Sequence, residues 1–137
     1  MSSPSVCQRY EVKVQTTNSK TILVVDDDQD LLDLLAFVLS SEGYDVRTAS
    51  DGLEALNVVE DKMPNLILLD MRMPVMDGWE FASAFHTRFD DGVPIVVVTA
   101  AENAEKRAEE IGASGWISKP FDVGLLIVLV REQLGIQ

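Results

Sequence analysis

Three short runs constrain the fold of this chain more than anything else in it: TILVVD at 21–26, NLILLD at 65–70 and PIVVVT at 94–99. Each is nearly unbroken in apolar residues until its polar end. An apolar run of that length without alternation fits a strand covered on both faces, as in the middle of a parallel sheet. YDVRT (44–48) and GWIS (115–118) are two further strand candidates. Between them lie helix-period segments. Residues 29–42 place Leu31, Leu34, Leu35, Val38 and Leu39 on one face and stop at Gly43, a suitable left-handed cap. Residues 52–62 follow the cap candidates Ser50 and Asp51 and stop before Pro64. Residues 78–89 and 102–111 come next, and 122–134 opens on Asp122 and closes at Gly135. Five strand–helix units with short links and no repeat predict an α/β fold with a five-stranded parallel sheet, doubly wound.

The chain of 137 residues suits one domain, here 20–137. Residues 1–19 are polar and irregular, and read as an N-terminal tail despite a brief alternation at Tyr10, Val12 and Val14 that would also suit a short edge strand. A net charge of −12 argues against a nucleic-acid surface, because phosphate contacts need clustered Lys and Arg. Metal cations or basic partners fit it better. Cys7 is the only cysteine, so no internal disulfide forms. The longest apolar run near the C-terminus, Leu125 to Val130, is far shorter than the ~20 residues of a membrane span. The expectation is a cytoplasmic protein with no membrane or nucleic-acid partner.

In doubly wound sheets, functional groups gather beyond the carboxyl ends of the strands. Here those ends carry Asp26–Asp27–Asp28, Asp70, Thr99 and, just past the last strand, Lys119. Carboxylates resist burial unless paired or bound to a cation. A carboxylate can also attack phosphorus to form an acyl phosphate. An anionic nucleophile meeting an anionic phosphoryl group needs a hard divalent cation to neutralise the charge. Asp70, exposed at the sheet edge before the turn residues Pro74 and Gly78, is the candidate nucleophile. Asp28 is the candidate cap of the first helix.

The segments VVDDD (24–28), LLDMRMPVMDG (68–78), VVVTA (96–100) and GASGWISKPFD (112–122) come in an order and spacing that resembles the receiver domain of two-component response regulators, over about residues 20–135. The resemblance implies the flavodoxin-like strand order 2-1-3-4-5, which sets Asp26 and Asp27 beside Asp70. It implies Asp70 as phosphoacceptor, with Mg²⁺ held by Asp26, Asp27, Asp70 and the backbone carbonyl of Arg72. It implies that Lys119, aimed inward by a cis bond to Pro120, and the Thr99 hydroxyl contact the phosphoryl group. The donor would be a phosphohistidine on a sensor histidine kinase or a histidine phosphotransfer protein. The domain would catalyse its own phosphorylation and dephosphorylation, and is not expected to be an enzyme acting on other substrates. Side chains such as Arg72 and Ala101 would bear on the lifetime of the mark. In the switch, Thr99 turns toward the phosphoryl group and an aromatic of the fifth strand follows it. That position is Trp116 here, where Tyr or Phe is usual, so Trp116 is either a switch residue or a packing aromatic.

The last helix carries an inward stripe of Val123, Leu126, Val130 and Leu134, and a second apolar set, Leu125, Val128 and Leu129, on its other side. An exposed apolar strip marks a partner site. The resemblance places an output and dimer surface on the fourth helix, fifth strand and fifth helix, so these three residues are expected to bury against a second subunit or an effector. The competing expectation is that the tail covers them. Leu32, Ala36 and Phe37, off the stripe of the first helix, suit a kinase contact or burial at the sheet margin. His86 is expected exposed on the third helix.

Two other readings compete. A phosphatase with an Asp nucleophile would need a second acid two residues on, where Arg72 stands, and a cap domain, which is missing. A receiver-like docking module that is never phosphorylated would not need the full set of acids, Thr99 and Lys119. The N-terminal methionine and an end just past the last helix favour a stand-alone regulator over a segment of a longer one.

Overall fold

The computed structural model describes residues 20–89, 92–100 and 102–135; the tail 1–19 and Ala101 lie outside the described residues. The elements alternate along the chain: β1 Thr21–Val25, α1 Gln29–Ser41, β2 Asp45–Ala49, α2 Gly52–Asp61, β3 Leu66–Leu69, α3 Gly78–Arg88, β4 Ile95–Thr99, α4 Ala104–Ile111, β5 Gly115–Ser118 and α5 Val123–Leu134. All strand pairs are parallel, in the order β2-β1-β3-β4-β5. The three unbroken apolar runs are the three central strands, and every residue of β1, β3 and β4 is buried. The outer strands are less apolar and less covered, and β5 alternates between half-buried and exposed residues.

Alternation along the central strands divides the core into two layers. Leu23, Val25, Ile67, Leu69, Ile95 and Val97 meet Leu56 of α2, Phe81 and Phe85 of α3 and Ala108 of α4. Ile22, Val24, Leu66, Leu68, Val96 and Val98 meet Leu32, Leu35 and Leu39 of α1 with Leu126 and Val130 of α5. Of the inward stripe read for α5, Leu126 and Val130 are buried here and Leu134 packs against this layer, whereas Val123 is half-buried and not part of it.

The stripe read for α1 is rotated. Leu32, expected off the stripe, is buried at 2% exposure, whereas Leu34, expected on it, is 45% exposed and Phe37 73%. Leucines stand at five positions of this helix, so period alone does not choose a face; contact with β1 and β3 does.

Helix starts are fixed by short polar side chains, each worth about 1 kcal/mol. Asp28 caps α1, accepting from the N–H groups of Asp30 and Leu31. Asp77 and Glu80 form a reciprocal capping box on α3. Asn103, in a left-handed conformation at φ 57°, caps α4 by accepting from Lys106 N–H, which moves the helix start to Ala104 from the expected 102.

Candidate functional site

Strand order decides which polar ends meet. Val25 and Leu69 are in register on β1 and β3, so the next residues, Asp26 and Asp70, emerge side by side. Asp70 N–H donates to the Val25 carbonyl at 2.9 Å, locking that pairing. Thr99 ends β4, and Lys119 follows β5 with its N–H donating to the Thr99 carbonyl at 3.0 Å. The Lys119–Pro120 peptide is cis.

Asp70 is not the exposed group that its place after a strand suggested. It is buried at 5% exposure, and Asp26 at 2%. Each has partners that make burial tolerable. Lys119 Nζ donates to Asp26 Oδ2 at 2.6 Å and lies 3.8 Å from Asp70 Oδ2. Asp28 N–H donates to Asp26 Oδ1, and Met71 N–H to Asp70 Oδ1, both at 2.9 Å. The Thr99 hydroxyl also hydrogen-bonds Asp70.

Burial, and then the charge of Asp26, raise the Asp70 pKa above the ordinary carboxylate value, although Lys119, Thr99 and the Met71 N–H pull it back. For Lys119, burial acts to lower the pKa, but the Asp26 hydrogen bond and the fields of Asp70, Asp26 and Asp27 outweigh it and raise the value. The ammonium is thus held charged. Carboxylate oxygens of Asp26, Asp27 and Asp70 lie within 4.8 Å of one another. Three carboxylates against one ammonium leave net negative charge, and hard oxygen donors at that spacing suit a hard divalent cation. The cluster opens into a cleft of about 420 Å³ lined by Asp70, Arg72, Thr99, Ala100, Glu102 and Lys119. That is room for a tetrahedral anion between an ammonium, a hydroxyl and a nucleophilic carboxylate.

The structure thus brings together Asp26, Asp27, Asp70, Thr99 and Lys119, with Arg72 at the rim. Trp116 lies outside this group. It pairs with Val97 on β4, two residues before the Thr99–Ser118 pair, so it shares the sheet face of Thr99, but it is 44% exposed. Leu125 and Val128 are 62% and 50% exposed. Leu129 departs from the expected strip: it is half-buried against the core layer of α1 and α5, beside Gly115. His86 is exposed, its Nε2 3.3 Å from the Ile111 carbonyl. Sequence reasoning missed Trp79 of α3, which packs against Arg72, and Arg107 and Glu110 of α4, which contact the Trp79 ring from the other helix. Aromatic and basic residues far apart in the chain give no periodic signal for such a contact.

This fold and this acid cluster define a class. The sequence model of the response regulator receiver domain matches residues 22–131, and the chain belongs to that family, whose members are phosphorylated on an aspartate in two-component systems. Among its relatives is the DNA-binding response regulator MtrA of Mycobacterium tuberculosis, 40% identical over 120 residues, which cover 86% of this chain and 52% of that protein. The chain therefore spans about half the length of such relatives. Among solved structures, the chemotaxis protein CheY4 of Vibrio cholerae is 33% identical with a TM-score of 0.78, covering 85% of this chain and 99% of that one. The response regulator TrrA of Thermotoga maritima, solved in complex with Mg²⁺–BeF, is 32% identical with a TM-score of 0.75, covering 84% and 99%. Among the described residues, no helix is long and apolar enough to cross a membrane.

Proposed function

We propose that residues 20–137 form a receiver domain that accepts a phosphoryl group on Asp70 from a phosphohistidine of a sensor histidine kinase or histidine phosphotransfer protein, in the cytoplasm. The observation that carries this reading is the Lys119 ammonium lying against both Asp26 and Asp70 at the mouth of the cleft. A carboxylate oxygen of Asp70 attacks phosphorus, the P–N bond of the donor breaks, and its electron pair returns to the ring nitrogen of an imidazole already protonated on its other nitrogen, which therefore leaves neutral. The acyl phosphate keeps its negative oxygens next to Lys119 and the Thr99 hydroxyl, a compact cation and a donor already in place. Water later attacks phosphorus, the P–O bond to Asp70 breaks, and inorganic phosphate leaves with the carboxylate restored.

The three carboxylates of Asp26, Asp27 and Asp70 suit Mg²⁺ and would hold it, with the Arg72 carbonyl, which the family resemblance adds, as a further protein ligand. When bound, the cation neutralises charge on the phosphoryl oxygens. Asp28 is left out of this set because it is committed to capping α1.

The mark acts by shifting a two-state equilibrium. Thr99 is the residue poised to change partner, since it already hydrogen-bonds Asp70. Trp116, on the same sheet face, is the candidate to respond. Its exposed ring, with Leu125 and Val128 of α5, supports a partner or dimer surface over α4, β5 and α5.

Incubation with a small-molecule phosphodonor and Mg²⁺ tests the reading. Intact mass is expected to rise by one phosphoryl group in the wild type and not in Asp70→Asn. No gain in the wild type, or an equal gain in the variant, rejects it.

A further inference from the structure

Arg72 is the second cation lining the cleft, and it is held differently from Lys119. Its guanidinium carbon lies 5.8 Å from the centre of the Trp79 ring, within reach of cation–π attraction. Arg107 of α4 approaches the same ring, also at 5.8 Å. The indole N–H donates to Glu110 Oε1 at 2.9 Å, and Arg107 Nη2 donates to Glu110 Oε2 at 3.0 Å. One carboxylate of α4 therefore fixes both the ring and the second guanidinium. Arg107 Nε is buried without a hydrogen-bond partner, so the ring and Glu110 are what place that side chain. The ring is also tied to the strand end. It follows Gly78, whose backbone is packed so closely on β3's exit that an added Cβ would meet the Asp70 carbonyl and Met71 Cα at 2.7 Å.

We infer that Trp79 is a positioning residue for the cleft: its ring holds the Arg72 guanidinium at the rim and, through Glu110 and Arg107, ties that cation to α4. The inference rests on Asp70 being the phosphoacceptor. A phosphoryl group there places new negative oxygens in the cleft that Arg72 lines. Arg72 is exposed and long; on this inference it swings to those oxygens and gives up the ring. Coupling of two binding events is reciprocal. The ring's hold on Arg72 therefore weakens the affinity of the cleft for a phosphoryl-like anion. The anion's arrival in turn strips the ring of one of its two cations, and α4 is bound to that ring.

Beryllofluoride with Mg²⁺, titrated into the full chain by calorimetry, provides the test. Trp79→Leu is expected to bind ~2- to 5-fold more tightly than the wild type, the span of an exposed cation–π contact. In an Arg72→Ala background, the same substitution is expected to change nothing, and Trp79→Phe, which keeps a ring face, to stay close to wild type. Equal affinity of wild type and Trp79→Leu, or a difference that survives in Arg72→Ala, overturns the inference. Should Trp79→Leu fail to fold, chain labelled with 5-fluorotryptophan decides. The fluorine resonance of Trp79, assigned with Trp79→Phe, is expected to shift on adding beryllofluoride in the wild type and not in Arg72→Ala; no shift in the wild type overturns the inference. Failure of the wild type to bind beryllofluoride, or equal binding by Asp70→Asn, is a separate result that removes the phosphoacceptor reading itself.

Discussion

Lys119 Nζ lies 2.6 Å from Asp26 Oδ2 and 3.8 Å from Asp70 Oδ2, so one ammonium serves two buried carboxylates that leave neighbouring strands. Its side chain is 22% exposed and that of Asp26 only 3%. Truncating one member of such a pair leaves the other charges buried and uncompensated. Lys119→Met is therefore expected to lose about 2–4 kcal/mol of stability in metal-free buffer. Lys119 also binds Asp26, one of the acids that would hold a metal, and its positive charge would repel a cation there, so its removal is expected to tighten Mg²⁺ binding. Urea unfolding with chelator and with Mg²⁺ checks both parts: the deficit should shrink as Mg²⁺ is added, by ligand linkage. A variant equally stable without metal contradicts this.

The raised pKa of Asp70 gives a pH dependence with a definite sign. Burial first, and the Asp26 charge second, make the folded protein bind the Asp70 proton more tightly than the unfolded chain does. Stability from this group is then fully present below the ordinary carboxylate pKa and is lost as pH rises through the raised folded value. Asp70→Asn removes the loss. In metal-free buffer the variant is expected to be more stable than wild type at neutral pH, with the difference shrinking as pH falls through that window. Chemical denaturation at a series of pH values checks it; a difference constant with pH contradicts the assignment to Asp70.

The fold was legible because burial on both faces leaves no room for alternation. TILVVD, NLILLD and PIVVVT became β1, β3 and β4 within a residue at each end. Polar residues at those ends were legible for the same reason: Asp26, Asp70 and Thr99 close runs that are otherwise almost wholly apolar. What failed was rotation. Nothing in a helix with leucines at 31, 32, 34, 35 and 39 says which of them faces β1, and the structure buries Leu32 while leaving Leu34 outside. Burial of Asp70 was illegible too, because it depends on Lys119 and Thr99 arriving from β5 and β4. The Arg72–Trp79–Arg107 stack depends likewise on how α3 meets α4.

Gly78 couples the site to the fold by close approach. A Cβ there would stand 2.7 Å from the Asp70 carbonyl, Met71 Cα and Met71 Sδ, and two of those atoms are backbone. Its N–H also donates to the Met71 carbonyl at 2.9 Å. Gly78→Ala is expected to cost about 1–3 kcal/mol by overpacking, and to push the strand end that carries Asp70. Thermal melting should show the loss, and phosphorylation from a small-molecule donor should slow. Normal melting and normal phosphorylation together would show that the loop yields freely.

On α5, the half-burial of Leu129 changes which substitutions report on a surface. Leu125 and Val128 are 62% and 50% exposed, whereas Leu129 packs on the core layer beside β5. A glutamate at Leu129 would put a charge against apolar neighbours and unfold the helix packing, so it could not separate partner loss from misfolding. Glutamates at Leu125 and Val128 add charge to residues already facing water, where stability effects stay within about 0.5 kcal/mol. The double variant Leu125→Glu, Val128→Glu is therefore expected to melt close to wild type. It should lose whatever self-association or effector binding the wild type gains when beryllofluoride and Mg²⁺ are added. Sedimentation and melting on the same samples check it. An unchanged assembly in the variant would show that these two side chains are ordinary exposed apolar residues and that the partner surface lies elsewhere.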